Sequence, residues 1–583
     1  MIKSMTLASY LLVIVLLLAF VGCTPQSTGG DPTISPTSTP DGTPTSTPDE
    51  TGEISNLNEL GQFPLVKEKE TINVFTHDYG AGADLKTCYM TKYYEDLTNV
   101  AVKWTMIPEE QFHERLNLAL SGADEIDAVI SGGRGATVIT MSNLLKYANQ
   151  GLILPIDELI ETDSVYFKMR LGQYEGWREA ISSPEGNMYM FPSLNECFHC
   201  MYYGKMLINQ EFLKNVGLEN PTTIDEFYEM LVAFKEQDAN GNGDPNDEIP
   251  IMSAIGSFGV KIDTFLMSAF IFSDGENRLF LDNGRVVAAF AQPEFREGLK
   301  YLNKLYEEDL IYKESFTQTS TTASQLNSQK YESIVGARPH PHYNVGNRSE
   351  GEPVRWIEYV PIKPLVGPNG LQITRYDYYA KFNTSAGILP ATCKNPQLVI
   401  RWLDWLMSDE GSMLNLHGIE GISWEAADPG SKGVDGKPAI FKKIEMDPEH
   451  ELYGNISWGQ RFPNFNTGEM RLGLQQPDDM LEEDGSGLEA YLYKYSYENY
   501  APYGTPIDMI IPPLFYSDEI ISEQAMLTTD INTHVEESIA RFIVGDRNLD
   551  TEWDTYLNEL DALGLKGYLE NIQDTYDKSP FAN

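Results

Sequence analysis

Asp238, Asn240 and Asn242 set oxygen-bearing side chains at every second position of a glycine-containing loop, and two adjacent carboxylates, Asp247 and Glu248, close it. That donor set suits a hard cation, because Ca²⁺ takes about six to eight oxygen ligands at roughly 2.3–2.6 Å. Gly241 and Gly243 permit the positive φ angles of a tight wrap, and Asp244 would offer its backbone carbonyl. The loop 238–248 starts as an EF-hand loop does and then departs from it. Its closing acid comes one place early, and Pro245 and Pro250 discourage a following helix. The competing reading is a solvated polar turn, since Asn-Gly and Gly-Asp are ordinary turn formers. Calcium is the expectation, with Asp238, Asn240, Asn242, Asp244, Asp247 and Glu248 as its ligands. A lone loop of this kind points to a structural ion rather than a sensor.

Other residues must position that loop. Thr222 or Thr223 caps a helix with Ile224, Phe227, Leu231 and Phe234 on one face, and this helix runs into the loop. Ile249–Ile255 leaves it as an extended segment, after an earlier strand at Tyr202–Asn209 and a helix at Gln210–Val216. Upstream, Thr71–Thr76, Val100–Ile107 and Ile126–Ile130 read as strands separated by helices at 84–98 and Pro108–Leu120. That β-α-β-α-β order implies a parallel sheet, whose ligands bind beyond the strands' carboxyl ends, here the loops His77–Gly82 and Ser131–Gly135. The glycines of the second loop match no nucleotide fingerprint. Ile373–Leu389 reads as strand and Pro396–Met407 as an amphipathic helix, and Ile520–Tyr576 is helical with a break at Gly545–Asn548. Tyr491, Tyr493, Tyr495 and Tyr497 alternate as one face of a strand would. The expected class is α/β in two lobes joined by hinge crossings, with a helical C-terminal part. Lobe 1 takes 63–190 with 371–420, and lobe 2 takes 191–370 with 421–583.

Residues 1–22 have the build of an export signal, with Lys3, the apolar run Leu7–Val21, and an ending at Gly22-Cys23. The ending resembles a bacterial lipobox with Phe20 where leucine is usual, so Cys23 is the expected lipid-bearing residue; ordinary cleavage with a free Cys23 is the alternative. Residues 23–62 form a Ser/Thr/Pro-rich linker that buries almost nothing. A net charge of −44 over 583 residues excludes a nucleic-acid partner, whose phosphates need a basic surface. Cys197-Phe198-His199-Cys200 is a single C-x-x-C, which favours a disulfide or two buried thiols over a structural zinc; the sequence does not choose between those two.

Asp238–Pro250, HGIEGISWE at 417–425, and the ending RFIVG…EWDTYLNELDALGL…YLENIQDTYD at 541–577 resemble the large lipoprotein solute-binding proteins of bacterial carbohydrate importers. So do LNLALSGADEIDAVI (116–130), LKYANQGLILPIDELI (145–160) and NQEFLKNVGLENPTTIDEF (209–227), and together the matches span nearly all of 70–580. The resemblance, to a group that includes alginate-oligosaccharide binders, implies a type II periplasmic-binding-protein-like fold closing on a glycan, without catalysis. It also implies an ABC permease as partner, a monomer, and a place at the outer face of the cytoplasmic membrane. The calcium loop is one residue longer than the family's commonest form, which leaves Asn246 and Asp247 as alternatives.

An oligosaccharide binder is therefore the leading expectation, with a peptide binder of the same importer type and a glycoside hydrolase as alternatives. Sugar rings sit on indole or phenol faces, with planar polar groups nearby for the hydroxyls. Trp424 and Trp458 lie in glycine-containing loops and are the expected platforms, although Trp424 could equally be a packing residue. Glu420 and Arg134 would bind hydroxyls, and Asp78 and Asn195 are further candidates at strand ends.

Overall fold

The computed structural model describes residues 56–583 apart from 79–83, 132–137, 175, 257, 276, 328–332, 341–354, 448, 483–484, 518 and 583. Cys23, the linker as far as residue 55, and Arg134 lie outside the described residues.

Four strands open the chain: β1 (Glu70–Asp78), β2 (Val100–Pro108), β3 (Ala128–Ile130) and β4 (Phe191–Asn195). β1 pairs in parallel with β2 from Glu70↔Val100 to Asp78↔Pro108, and with β3 on its other side. Its run Val74–His77 is buried without alternation, as in a parallel sheet covered on both faces. The helix between β1 and β2, Tyr89–Thr98, stops where Asn99 turns left-handed at φ 58°, a conformation asparagine tolerates.

The chain then builds a second sheet from β5 (Met206–Asn209), β6 (Ile249–Ile251), β9 (Val335–Pro339) and β10 (Tyr359–Pro361), ordered β10-β5-β9-β6, while β7 (Leu279–Asp282) and β8 (Arg285–Ala288) form a separate hairpin. β11 (Phe382–Ile388) returns to the first sheet between β3 and β4. A hairpin follows, β12 (Trp424–Ala426) with β13 (Phe441–Lys443), and β14 (Phe465–Asn466) completes the first sheet beside β4, in the order β14-β4-β11-β3-β1-β2. The C-terminal part is helical, at Ile521–Ile543, Trp553–Ala562 and Leu565–Asp577, with the break where glycine and asparagine predict it.

Each sheet has its own core. In the first, Asp404 is buried and accepts from Ser164 Oγ and from the backbone N–H groups of Val165, Tyr166 and Phe167, so one carboxylate ties two helices. In the second, Arg278 is 2% exposed and held by Asp263 and Glu536.

Three expectations need correction. β4 and β14 pair into the first sheet, although the sequence reading puts 191 onward and 421 onward in the other lobe. Tyr491–Tyr497 is not a strand: Leu488–Tyr495 is a helix continuing through Tyr500, in which Tyr491 packs tilted against Tyr495 and Tyr493 stacks on Tyr497 at helical i,i+4 spacing. Trp458 is 1% exposed and packs between Trp402 and Phe462, with its indole N–H on Thr91 Oγ1, so no ligand can stack on it.

Candidate functional site

The helix Ile224–Glu236 starts at Thr223 with a reciprocal capping box to Glu226 and delivers the chain into the loop 238–248, after which β6 begins. Gly241 and Gly243 adopt φ 76° and 94°. Backbone N–H groups meet the side-chain oxygens in sequence: Gly243 on Asp238 Oδ2, Asn242 on Asn240 Oδ1, and Asp244 on Asn242 Oδ1 at 2.7 Å. Asp247 turns inward and receives the amides of Asn240 and Asn242 at 3.1 and 2.8 Å, whereas Asn246 bonds outward to Asp244. Two buried carboxylate oxygens, Asp238 Oδ1 and Glu248 Oε2, have no hydrogen-bond donor. Burial and the neighbouring Asp247 charge push the Glu248 carboxyl above its usual range. A buried carboxylate oxygen without a donor is costly, and a hard cation is the group that would relieve both. The loop's donors therefore fit Ca²⁺.

A second constellation forms where the sheets meet. β1 to β3 are parallel, β11 is antiparallel to β3 and β4, and β14 runs with β4, so Asp78, Asn195, Asn466 and the start of β11 share one edge. In the second sheet, Met206 and Pro339 pair at the corresponding edge. The segment 196–205 joins these edges. Arg471, on the helix Gly468–Leu472, donates Nη1 to Asn195 Oδ1 and Nη2 to Glu489 Oε2, both at 3.2 Å. Glu489 opens the helix Leu488–Tyr495, whose Tyr491 and Leu492 pack on Leu207 and Tyr359 of the second sheet. One guanidinium thus spans an end of the first sheet and a helix packed on the second.

Arg471 and Glu489 wall a cavity of about 680 Å³ with His417, Ser423, Phe441 and Lys443. That volume lies within the range of small-ligand sites. Burial, reinforced by the Lys443 and Arg471 charges, lowers the His417 pKa to about 4, so its ring is neutral at pH 7 and can both donate and accept. A wider cavity, about 940 Å³, lies between the helix Trp177–Ile181 and the C-terminal helix, by the turn 182–186 that precedes β4.

Of the candidate residues, Asn195 reaches this region only through the bond it accepts from Arg471. His417 and Ser423 line the smaller cavity, but Trp424 and Glu420 do not. Trp424 donates its indole N–H to Gly418 O at 3.0 Å and meets Phe441 edge-on, while Glu420 is exposed. Asp78 is exposed at the end of β1. Sequence reasoning missed Arg471, Glu489 and His417. It also missed a row of rings along the crossings, Phe198–Tyr202–Tyr376–Tyr378, with centroids 5.4, 5.2 and 6.4 Å apart, whose one signal is the Tyr-rich run 376–379.

Residues 89–413 match the family described as bacterial extracellular solute-binding protein. The fructooligosaccharide ABC transporter substrate-binding protein FusA of Streptococcus pneumoniae is 27% identical over 534 residues, 88% of this chain and 91% of FusA. The structure of FusA in complex with kestose covers 87% of this chain and 99% of its own at 26% identity, with a TM-score of 0.68; an EF-hand mutant of FusA in complex with fructo-nystose aligns equally well. Lipoprotein LipO of Bacillus subtilis is 25% identical over 370 residues, 62% of this chain and 67% of LipO. Alginate-binding protein AlgQ2, in a structure without calcium ion, shares the fold at 21% identity over 88% of this chain and 99% of its own, with a TM-score of 0.62. FusA is a substrate-binding protein rather than an enzyme, and the common α/β architecture is that of type II binding proteins. With more than half of its length matched, the chain belongs to the bacterial extracellular solute-binding protein family.

Proposed function

We propose that the protein captures a short oligosaccharide at the facing sheet edges and hands it to an ABC permease, from a lipid anchor on Cys23 at the outer face of the cytoplasmic membrane. The observation that carries this reading is the Arg471 fork between Asn195 and Glu489. Planar donors and acceptors fixed in the wall of a half-apolar cavity are what sugar hydroxyls need, and Tyr453 supplies exposed ring surface there. Asn195 and Asp78 remain proposed contacts, Arg134 with them, while Trp424 and Glu420 flank the cavity and Trp424 braces its wall. The near full-length similarity to FusA makes fructo-oligosaccharides the first class to test. Calcium in the loop 238–248 would fix the end of a helix against β6, away from the sugar.

A thermal-shift screen of short oligosaccharides against cationic peptides, on the calcium-loaded chain, tests the ligand class; a shift with peptides alone refutes it. Cys23→Ser tests the anchor, which should release the protein into the medium, because stable retention requires more than one lipid chain. A Cys23→Ser protein that stays cell-bound contradicts the assignment.

A further inference from the structure

Cys197 and Cys200 are joined as a disulfide across the 3₁₀ turn Phe198–Met201, in the crossing from β4 to β5. The His199 ring folds back onto them, with Nε2 3.4 Å from Cys197 Sγ and Nδ1 3.9 Å from Cys200 Sγ. Glu489 Oε2, from the helix packed on the second sheet, lies 3.4 Å from the same Nε2. Among the described residues, Cys197, His199 and Cys200 are the one group of three His, Cys, Asp or Glu whose ligand atoms all fall within 4.8 Å of one another.

We propose that reduction of this disulfide creates a site for a thiophilic divalent cation of the zinc class, held by Cys197, His199 and Cys200 with Glu489 as fourth ligand.

The distances suit that cation. In a tetrahedral site with metal–sulfur bonds of about 2.3 Å and metal–nitrogen or –oxygen bonds of about 2.0–2.1 Å, neighbouring ligand atoms stand roughly 3.3–3.8 Å apart. The Cys197–His199 and His199–Glu489 separations, both 3.4 Å and both at Nε2, already lie on such edges, while Glu489 falls outside the 4.8 Å group and must close on the two sulfurs as the cation enters. Cys200 is half-buried, and once unlinked its sulfur, now beside Nδ1, must part from Cys197 and swing towards Nε2. Charge suits it too. Two thiolates, one carboxylate and a dication sum to a single negative charge, which the Arg471 guanidinium on Glu489 offsets. The joined sulfurs offer no thiolate, so the oxidised chain has no such site. Opening the bond takes two electrons and two protons from a dithiol, which becomes a disulfide itself, and the incoming cation then displaces the two thiol protons to solvent. Glu489 also walls the smaller cavity, so the cation would draw on a carboxylate that Arg471 shares.

The test measures zinc uptake by the full-length chain, with calcium saturating, before and after reduction by a dithiol that is then removed under exclusion of oxygen. About one zinc per reduced chain is expected, beyond that of a Cys197→Ser/Cys200→Ser chain, with none beyond it when oxidised. Co²⁺ in its place should give thiolate-to-metal charge-transfer absorption. His199→Gln and Glu489→Gln should each weaken zinc by at least about tenfold. Equal uptake by the oxidised and reduced chains, uptake that survives His199→Gln, or a reduced chain that takes no zinc, whether or not it keeps its melting transition, overturns the proposal. Affinity unchanged in Glu489→Gln removes the carboxylate from the ligand set. None of these outcomes depends on what fills the cavity.

Discussion

Arg471 Nη1 donates to Asn195 Oδ1 at 3.2 Å, closing a helix from late in the chain over the end of β4. Its other arm holds Glu489, so the fork is preorganised before any ligand arrives. Arg471→Lys keeps the charge but loses the planar pair of donors. It should weaken oligosaccharide binding by roughly tenfold, about 1.4 kcal/mol, as read by calorimetric titration. Affinity equal to the native chain's would mean that the fork only braces the fold.

Calcium should raise the melting temperature. A cation bound only by the folded chain stabilises it by about 2.7 kcal/mol at a hundredfold excess over Kd. The orphaned oxygens of Asp238 and Glu248 identify where that energy resides. Metal-free dialysis with EGTA should lower the melting transition, and Asp238→Ala should remove the response to added Ca²⁺. A melting curve indifferent to chelation contradicts a structural ion.

Arg278 lies almost wholly out of water with Nη2 2.8 Å from Asp263 and Nη1 2.7 Å from Glu536. Asp263→Ala would remove the carboxylate that accepts from Arg278 Nε and Nη2 in the interior, which costs about 3 kcal/mol. Denaturant titration should show the loss as a lower midpoint. Asp263→Asn retains an acceptor and should lose less.

His417 links stability to pH. Its folded pKa of about 4 lies below the ordinary 6.5. As pH falls through 6.5 the unfolded chain takes up a proton that the folded chain refuses until about pH 4. Its contribution is therefore complete above pH 6.5 and drains away between 6.5 and 4. His417→Gln should flatten the fall in melting temperature between pH 6.5 and 5, above most carboxylate titrations. A variant with an unaltered slope would show that the ring is not held neutral.

The inward-turned oxygens of the loop 238–248 were legible because these residues are contiguous and glycine marks the turns. The helix before it was legible for the same reason: Thr223 and Glu226 carry their capping partners within one turn. The cavity was not, since Asn195, His417, Arg471 and Glu489 meet through strand order and helix packing, and no spacing along the chain records that. Trp458 misled because its flanking glycine suggests a loop, while the rings that bury it, Trp402 and Phe462, come from a distant helix and a neighbouring turn. The tyrosines at 491–497 misled because a step of two also satisfies a step of four.

The central claim is that the space beside Arg471 is a sugar site. Isothermal titration of the calcium-loaded chain with short oligosaccharides, fructo-oligosaccharides first, tests it most directly when repeated on Arg471→Ala. The account predicts one saturable site in the native chain and a loss of roughly 10- to 100-fold in the variant, with its melting temperature nearly kept. Binding of oligosaccharide that is indifferent to Arg471→Ala, or saturable binding of cationic peptides with none of any sugar, would contradict it.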